Sequence, residues 1–271
     1  MTLLVATDLS STSDDVVREA ARRAKRMTRK LVCCSVVSSL VWQFIVREDA
    51  ERAMSERLAQ LIPPEVEWGI RLVQGSPHVG ILKAEEEVGP SLIVLGLGGD
   101  HVPGGTLNQV ARHARCSVLA VGPRADANIV LVATDLSKPA YPAIRAGVAE
   151  AADGGELHVV HCRAKPTALP SFLVPHLLFP QTPQGDAPNA FSHEEAEERI
   201  RAGLGDAAAG ATLHVVDGSP RRRVLALATS LKARCLVLGA KGRSGSDRIS
   251  IGSEADALLR GARCSVLLAR S

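Results

Sequence analysis

The chain is built from two copies of one pattern, and that repeat limits the fold more than any other feature. VATDLS stands at 5–10 and again at 132–137, an offset of 127 residues. GSP recurs at 75–77 and 218–220, and VLG at 94–96 and 237–239, both at an offset of 143. ARCSVL recurs at 114–119 and 262–267, an offset of 148. Four matches in one order describe a duplicated unit. The growing offsets place 16 extra residues of the second copy between its first and third strands, and 5 more after VLG.

Short apolar runs alternate with helical stretches in each copy. In the first, strands are expected at Leu3–Ala6, Leu31–Val37, Trp68–Val73, Leu92–Gly96 and Ser117–Val121. Helices are expected at Ser13–Lys30, Glu48–Leu61, Val79–Val88 and Leu107–Ala114. The second copy places strands near Ile129–Ala133, Glu156–Cys162, Thr212–Val216, Cys235–Leu238 and Ser265–Ala269. Val/Leu/Ile runs between helices indicate parallel strands buried on both faces. Right-handed crossovers then favour a doubly wound α/β layout of five strands in the order 3-2-1-4-5. At 271 residues there is room for two such units, 1–124 and 125–271, with the boundary in Gly122–Asn128.

Composition removes several classes of function. Thirty-two basic residues face 29 acidic ones, 15 against 14 up to residue 124 and 17 against 15 after it. Neither half is an electrostatic surface for nucleic acid or membrane. Aromatic residues are only 3%, too few for a base-stacking platform. No run approaches the roughly 20 apolar residues of a membrane span. Met1 to Ser10 lacks a basic start and reads as a first strand instead of a signal peptide. Six scattered cysteines without a CxxC suit reduced thiols, and the expected location is the cytoplasm.

In open α/β sheets a ligand sits beyond the carboxyl ends of the strands, where the strand order reverses. In the second copy, strand one ends in Ala133-Thr134-Asp135-Leu136-Ser137. Strand four ends in Leu238-Gly239, followed by Lys241, Gly242 and Arg243, and Gly252-Ser253-Glu254 opens the next helix. The spacing is G-x2-G-x9-G-S. Glycine lets the backbone bend and approach a ligand without a Cβ. The amides at a helix start favour phosphate, and Lys241 and Arg243 add positive charge. Asp135 offers acceptors for a ribose or base. G-x4-G-K-[ST] is absent, and no G-x-G-x-x-G follows strand one.

The repeated ATDLS, the closing ARCSVL and the G-x2-G-x9-G-S spacing resemble the universal stress protein family in its tandem, two-domain form. The resemblance spans essentially the whole chain and implies a five-stranded sheet with four helices in each domain. It implies an adenine nucleotide, ATP or ADP with or without Mg, in the second domain and no metal site of the protein's own. Asp135 matches the family's aspartate near the adenosine. Cys162 takes the place of the usual aliphatic residue beside adenine. Leu238 and Gly239 would lie near the nucleoside, and Gly242, Gly252 and Ser253 would hold phosphates. Glu254 and Ala255 depart from the family's aliphatic residue and Ser/Thr, which sets a carboxylate near the phosphates. The resemblance also implies that the fifth strands, through Val118–Val121 and Val266–Ala269, pair inside the molecule.

The first copy keeps Asp8, Gly96 and Gly99, but only four residues separate Gly99 from Gly104-Gly105, and no Ser follows. With Pro103 inside a loop five residues shorter, this half is expected to be a degenerate site and chiefly a structural partner. ATDLS also lacks the SGG of ATP-dependent adenylating enzymes.

Other features have plainer readings. His158 and His214 occupy matching places in LHVV on neighbouring strands, and two histidines fall short of a metal site. His158 and His161 face opposite sides of one strand. Arg221-Arg222-Arg223 suits a solvated helix end, with a polyphosphate as the sharper alternative. Cys33-Cys34, Cys116 and Cys264 read as buried structural thiols. The second copy's insert, 163–192, has six prolines among many apolar residues and suits a packed loop, a lid, or a partner or oligomer contact. The helix His193–Leu204 carries a solvated acidic face.

Three functions follow in order. The first is a stress-response protein whose adenine nucleotide alters its conformation or partners, with a regulatory or protective role. The second is a nucleotide-independent interaction scaffold using the insert. The third is a slow ATPase, for which the glycine loop shows no general base and no pair of metal-binding carboxylates.

Overall fold

The computed structural model describes residues 1–98, 105–123, 125, 127–152, 154–163, 192–240 and 251–270. Its strands are β1 (Thr2–Ala6), β2 (Lys30–Val37), β3 (Trp68–Gln74), β4 (Leu92–Gly96), β5 (Ser117–Val121), β6 (Ile129–Thr134), β7 (Glu156–Arg163), β8 (Ala211–Asp217), β9 (Cys235–Gly239) and β10 (Ser265–Ala269). They form one sheet in the order β3-β2-β1-β4-β5-β10-β9-β6-β7-β8. Each half has the expected 3-2-1-4-5 order. As expected, the fifth strands pair inside the molecule and join the two units into one sheet: β5 runs antiparallel to β10, Val118 with Leu268, Leu119 with Leu267 and Ala120 with Val266. The pairings within each half are parallel. The carboxyl ends of β1 and β4 therefore open at one end of the sheet, and those of β6 and β9 at the other.

Side chains alternate across the strands, so successive residues feed two cores. Leu3 and Val5 enter one and Leu4 the other. On the first face lie α1 (Asp14–Met27), α3 (Arg47–Ala59), α6 (Tyr141–Ala151) and α7 (His193–Leu204), through residues such as Val17, Leu58, Ile144 and Ile200. On the second lie α4 (Pro77–Val88), α5 (Thr106–His113), α8 (Pro220–Ser230) and α9 (Ser253–Gly261), through Ile81, Val110, Val224 and Leu258. A four-residue helix, α2 (Ser39–Trp42), follows β2.

Several helix ends differ from expectation for local reasons. The run expected to reach Lys30 ends at Met27, because Thr28 turns left-handed at φ 50° and its N–H bonds back to Ala24 and Lys25. The helix expected from Val79 starts at Pro77, where a missing N–H is no loss. The helix expected over Glu48–Leu61 spans Arg47–Ala59. Residues 164–191 of the insert lie outside the described residues. Among those described, no helix is long and apolar enough to cross a membrane.

Candidate functional site

The two halves carry the same turn at the carboxyl end of their first strand. After β6, the N–H and hydroxyl of Ser137 donate to Asp135 Oδ1 at 3.0 and 2.6 Å, and Leu136 N–H donates to Thr134 Oγ1 at 3.1 Å. After β1, Ser10 donates to Asp8 Oδ1 at 3.0 and 2.6 Å, and Leu9 N–H donates to Thr7 Oγ1 at 3.0 Å. Leu9 and Leu136 both stand at φ 61°. A leucine there is strained by roughly 1–3 kcal/mol and persists only when its surroundings enforce it. The Thr and Asp oxygens supply that enforcement. The hydrogen bond from Ser10 holds the Asp8 carboxyl below the usual range, against a smaller upward push from burial.

In the second half the predicted residues that are described lie on β6, β7, β9 and α9 and in the turn after β6. Ala133 and Leu238 are paired neighbours on β6 and β9. Thr134 is buried, and its carbonyl accepts the Nδ1–H of buried His161 at 2.9 Å, which anchors the strand end just before Asp135. Gly239 closes β9. The N–H of Ala240 then donates to Ala269 at 3.0 Å, and the N–H of Gly252 donates back to Ala240 at 2.9 Å. That bond fastens the start of α9 to the end of β9. Gly252 is the extended cap residue, and Ser253 and Glu254 form the exposed first turn. The first N–H groups of a helix lack partners within it and favour an anion.

Cys162 lies buried near the end of β7. Burial pushes its thiol up to about 11, with Arg223 pulling down and Glu254 pushing up. Arg223 Nε donates to the Asp217 carbonyl at 3.0 Å, while Arg221 and Arg222 are exposed, as a solvated helix end requires. Lys241, Gly242 and Arg243 lie outside the described residues.

In the first half, a cavity of about 570 Å³ opens at the ends of β1 and β4. Asp8, Gly96 and Thr106 line it. Gly105 caps α5, while Gly99 and Gly104 lie outside the described residues. The described lining includes the carboxylates of Asp8 and Asp15 and no lysine or arginine. This lining disfavours a polyphosphate.

The remaining candidates separate cleanly. His158 and His214 meet, with Nδ1 and Nε2 2.9 Å apart. Among the described residues, no group of three His, Cys, Asp or Glu is placed to hold a metal ion. All six cysteines are free, and Cys33 and Cys34 enter opposite cores. Cys116 differs from expectation in being only partly buried. Its thiol is still pushed up to about 12, first by burial and then by Glu85, so it is a poor nucleophile. Sequence reading missed the left-handed leucines, because leucine carries no turn signal. It also missed the anchoring role of His161, whose partner is a backbone carbonyl.

The family model described as the universal stress protein family matches residues 1–122 and again 127–270. Among solved structures, a universal stress protein from Archaeoglobus fulgidus DSM 4304 superposes with a TM-score of 0.70 at 19% identity, covering 99% of this chain and 96% of that one. A functionally unknown protein from Pseudomonas aeruginosa PAO1 gives 0.66 at 18% identity, covering 99% and 92%. No curated protein matches the chain by sequence.

Proposed function

Because the chain belongs to the universal stress protein family, we propose that its second half, 125–271, binds ATP or ADP, and that the nucleotide sets a conformation or partner contact in a regulatory or protective stress response. The observation that carries this reading is the hydrogen bond between Gly252 and Ala240. It holds the anion-favouring end of α9 against the end of β9, beside the strand that leads into Asp135. The G-x2-G-x9-G-S spacing, Lys241 and Arg243 supply the rest of a phosphate-binding loop. The first half, 1–124, keeps the Asp8 turn but presents carboxylates without a described cation, so it serves as a structural partner.

The test is the nucleotide content of freshly purified protein, released by acid and separated by chromatography, with Gly242→Asp plus Ser253→Ala as control. Near one adenine nucleotide per chain, lost in the control, is expected. About two per chain would overturn the assignment of the first half. None, with no heat from added ATP in calorimetry, would overturn the nucleotide reading in favour of a scaffold. Phosphate release abolished by Asp135→Ala would move the slow ATPase forward.

A further inference from the structure

Arg23 on α1 and Glu150 on α6 occupy the same position of the repeat, separated by the 127-residue offset that relates the two VATDLS turns. They also touch. Arg23 Nη1 and Nη2 donate to the two Glu150 carboxylate oxygens at 2.7 and 2.6 Å. The side chains are 4% and 2% exposed. Residues that are equivalent in a repeat and meet each other lie at the axis relating the halves. A residue at such a place would face its own copy in a homodimer of identical units.

That geometry makes the charges selective. A first half paired with the first half of another chain would bury Arg23 against Arg23. Two second halves would bury Glu150 against Glu150. Glu19 bonds Arg23 within the first half at 2.7 Å and Arg234 bonds Glu150 within the second, but only the mixed pairing sets a guanidinium against a carboxylate across the axis, where like charges are disfavoured. Arg234 adds to the same carboxylate at 2.8 Å, and Arg26 approaches it at 3.5 Å.

On the opposite face, two first halves would lack a carboxylate that the mixed pairing supplies. Arg112 on α5 and Arg260 on α9 match at the 148-residue offset, and both bond to Asp256 on α9. The position matching Asp256 in α5 is Asn108, which is neutral. Two first halves would bring two Arg112 together at positions whose matched partner is an amide instead of a carboxylate.

We infer that the Arg23–Glu150 pair, backed by Asp256 between Arg112 and Arg260, is a recognition element that joins a first half only to a second half. The partner surface for each half is the other half of this chain, and a second copy of itself is rejected. The β5–β10 ladder is bonded through backbone and apolar side chains, so it contains no such preference.

Reversals of charge in the full-length chain test this. R23E and E150R each put like charges in contact within one chain. Chains of the two kinds co-expressed under different affinity tags restore opposite charges only between molecules. The expected result is several-fold more co-purification of R23E with E150R than of either variant, or the wild-type chain, with itself. The thermal midpoint of the R23E/E150R double variant should also exceed that expected from adding the two single losses. Co-purification no greater than the self-pairs, or a purely additive double variant, overturns the inference. Should the reversals fail to fold, Arg23→Gln, Glu150→Gln and their double variant give the same cycle. Additive losses there overturn it equally.

Discussion

Nδ1 of His158 and Nε2 of His214 face each other at 2.9 Å, with ring centroids 5.2 Å apart and the planes 14° from parallel. One ring nitrogen must donate and the other accept. Protonating the accepting nitrogen would leave two N–H donors facing each other across that gap. Burial and then His158 hold His214 below its usual range.

A group lowered by folding contributes its full stability above its unfolded value, near 6.5 for histidine, and that contribution is lost as pH falls through the folded value. The thermal midpoint of the wild-type chain should therefore fall between pH 7.5 and 5.5. His214→Gln should flatten that slope. Equal slopes in differential scanning would show that the pair does not titrate with unfolding.

Glu150 gives the opposite end of the pH scale. Burial pushes its carboxyl up, but Arg23 and then Arg234 outweigh that and bring it down to about 2. Its contribution is complete above the unfolded carboxylate value and disappears as pH falls from about 4.5 through about 2. Glu150→Gln removes the carboxylate shared by buried Arg23 and half-buried Arg234, leaves Arg23 with Glu19 alone, and should lower stability by about 3 kcal/mol at pH 7. Urea melts at pH 7 and pH 3 should show the gap between variant and wild type narrowing in acid. A constant gap would count against the low carboxyl value.

Glu85 on α4 is buried and ties two elements with one oxygen. Its Oε1 accepts the N–H of Arg115 at 2.7 Å and of Cys116 at 3.0 Å, just before β5. Glu85→Ala strands both part-buried donors and should lower stability by about 1–3 kcal/mol for each. Glu85→Gln keeps an acceptor and should lose less. Equal losses in denaturant unfolding would mean that the charge, not the acceptor, matters.

Gly147 in the interior of α6 looks like a defect by propensity, yet a Cβ there would stand 2.1 Å from Val132 Cγ2 on β6. Gly147→Ala gains about 1 kcal/mol of helix propensity. It should still destabilise the chain, since overpacking costs about 1–3 kcal/mol. The matched position in α1 is the buried Ala20, so the two halves differ here in how closely helix and strand approach. A raised thermal midpoint for Gly147→Ala would contradict this close approach.

What was legible in the sequence follows the physical range of each signal. The strand order rests on local apolar runs and on the repeat, and Ser117–Val121 and Ser265–Ala269 have the expected bounds. The meeting of His158 and His214 follows from matched LHVV positions on neighbouring strands. Helix ends shifted wherever one residue decided the backbone, as Thr28 and Pro77 do. Arg23 and Glu150 stood among many arginines and glutamates on amphipathic helices. Only the antiparallel joining of β5 to β10 brings them together, and no local pattern encodes that. At the site, glycine spacing marked Gly239 and Gly252, whereas the strain at Leu136 had no residue signal at all.

Glu254 stands beside Gly252 and Ser253 at the start of α9, and its effect has a sign. It occupies the exposed first turn of α9, where a carboxylate favours the helix and competes with any phosphate for the same partial positive charge. The terminus is worth about 0.3–1 kcal/mol to one negative group. Replacing the carboxylate by a neutral residue should therefore tighten ATP by about 2- to 5-fold, since 1.4 kcal/mol is tenfold. Glu254→Gln keeps the size and removes the charge, so calorimetric titration of that variant isolates the electrostatic part. Raising the salt should shrink its advantage, because exposed charges are screened within about 10 Å at 0.1 M. Unchanged or weaker ATP binding in Glu254→Gln would mean that the phosphates do not lie against the start of α9.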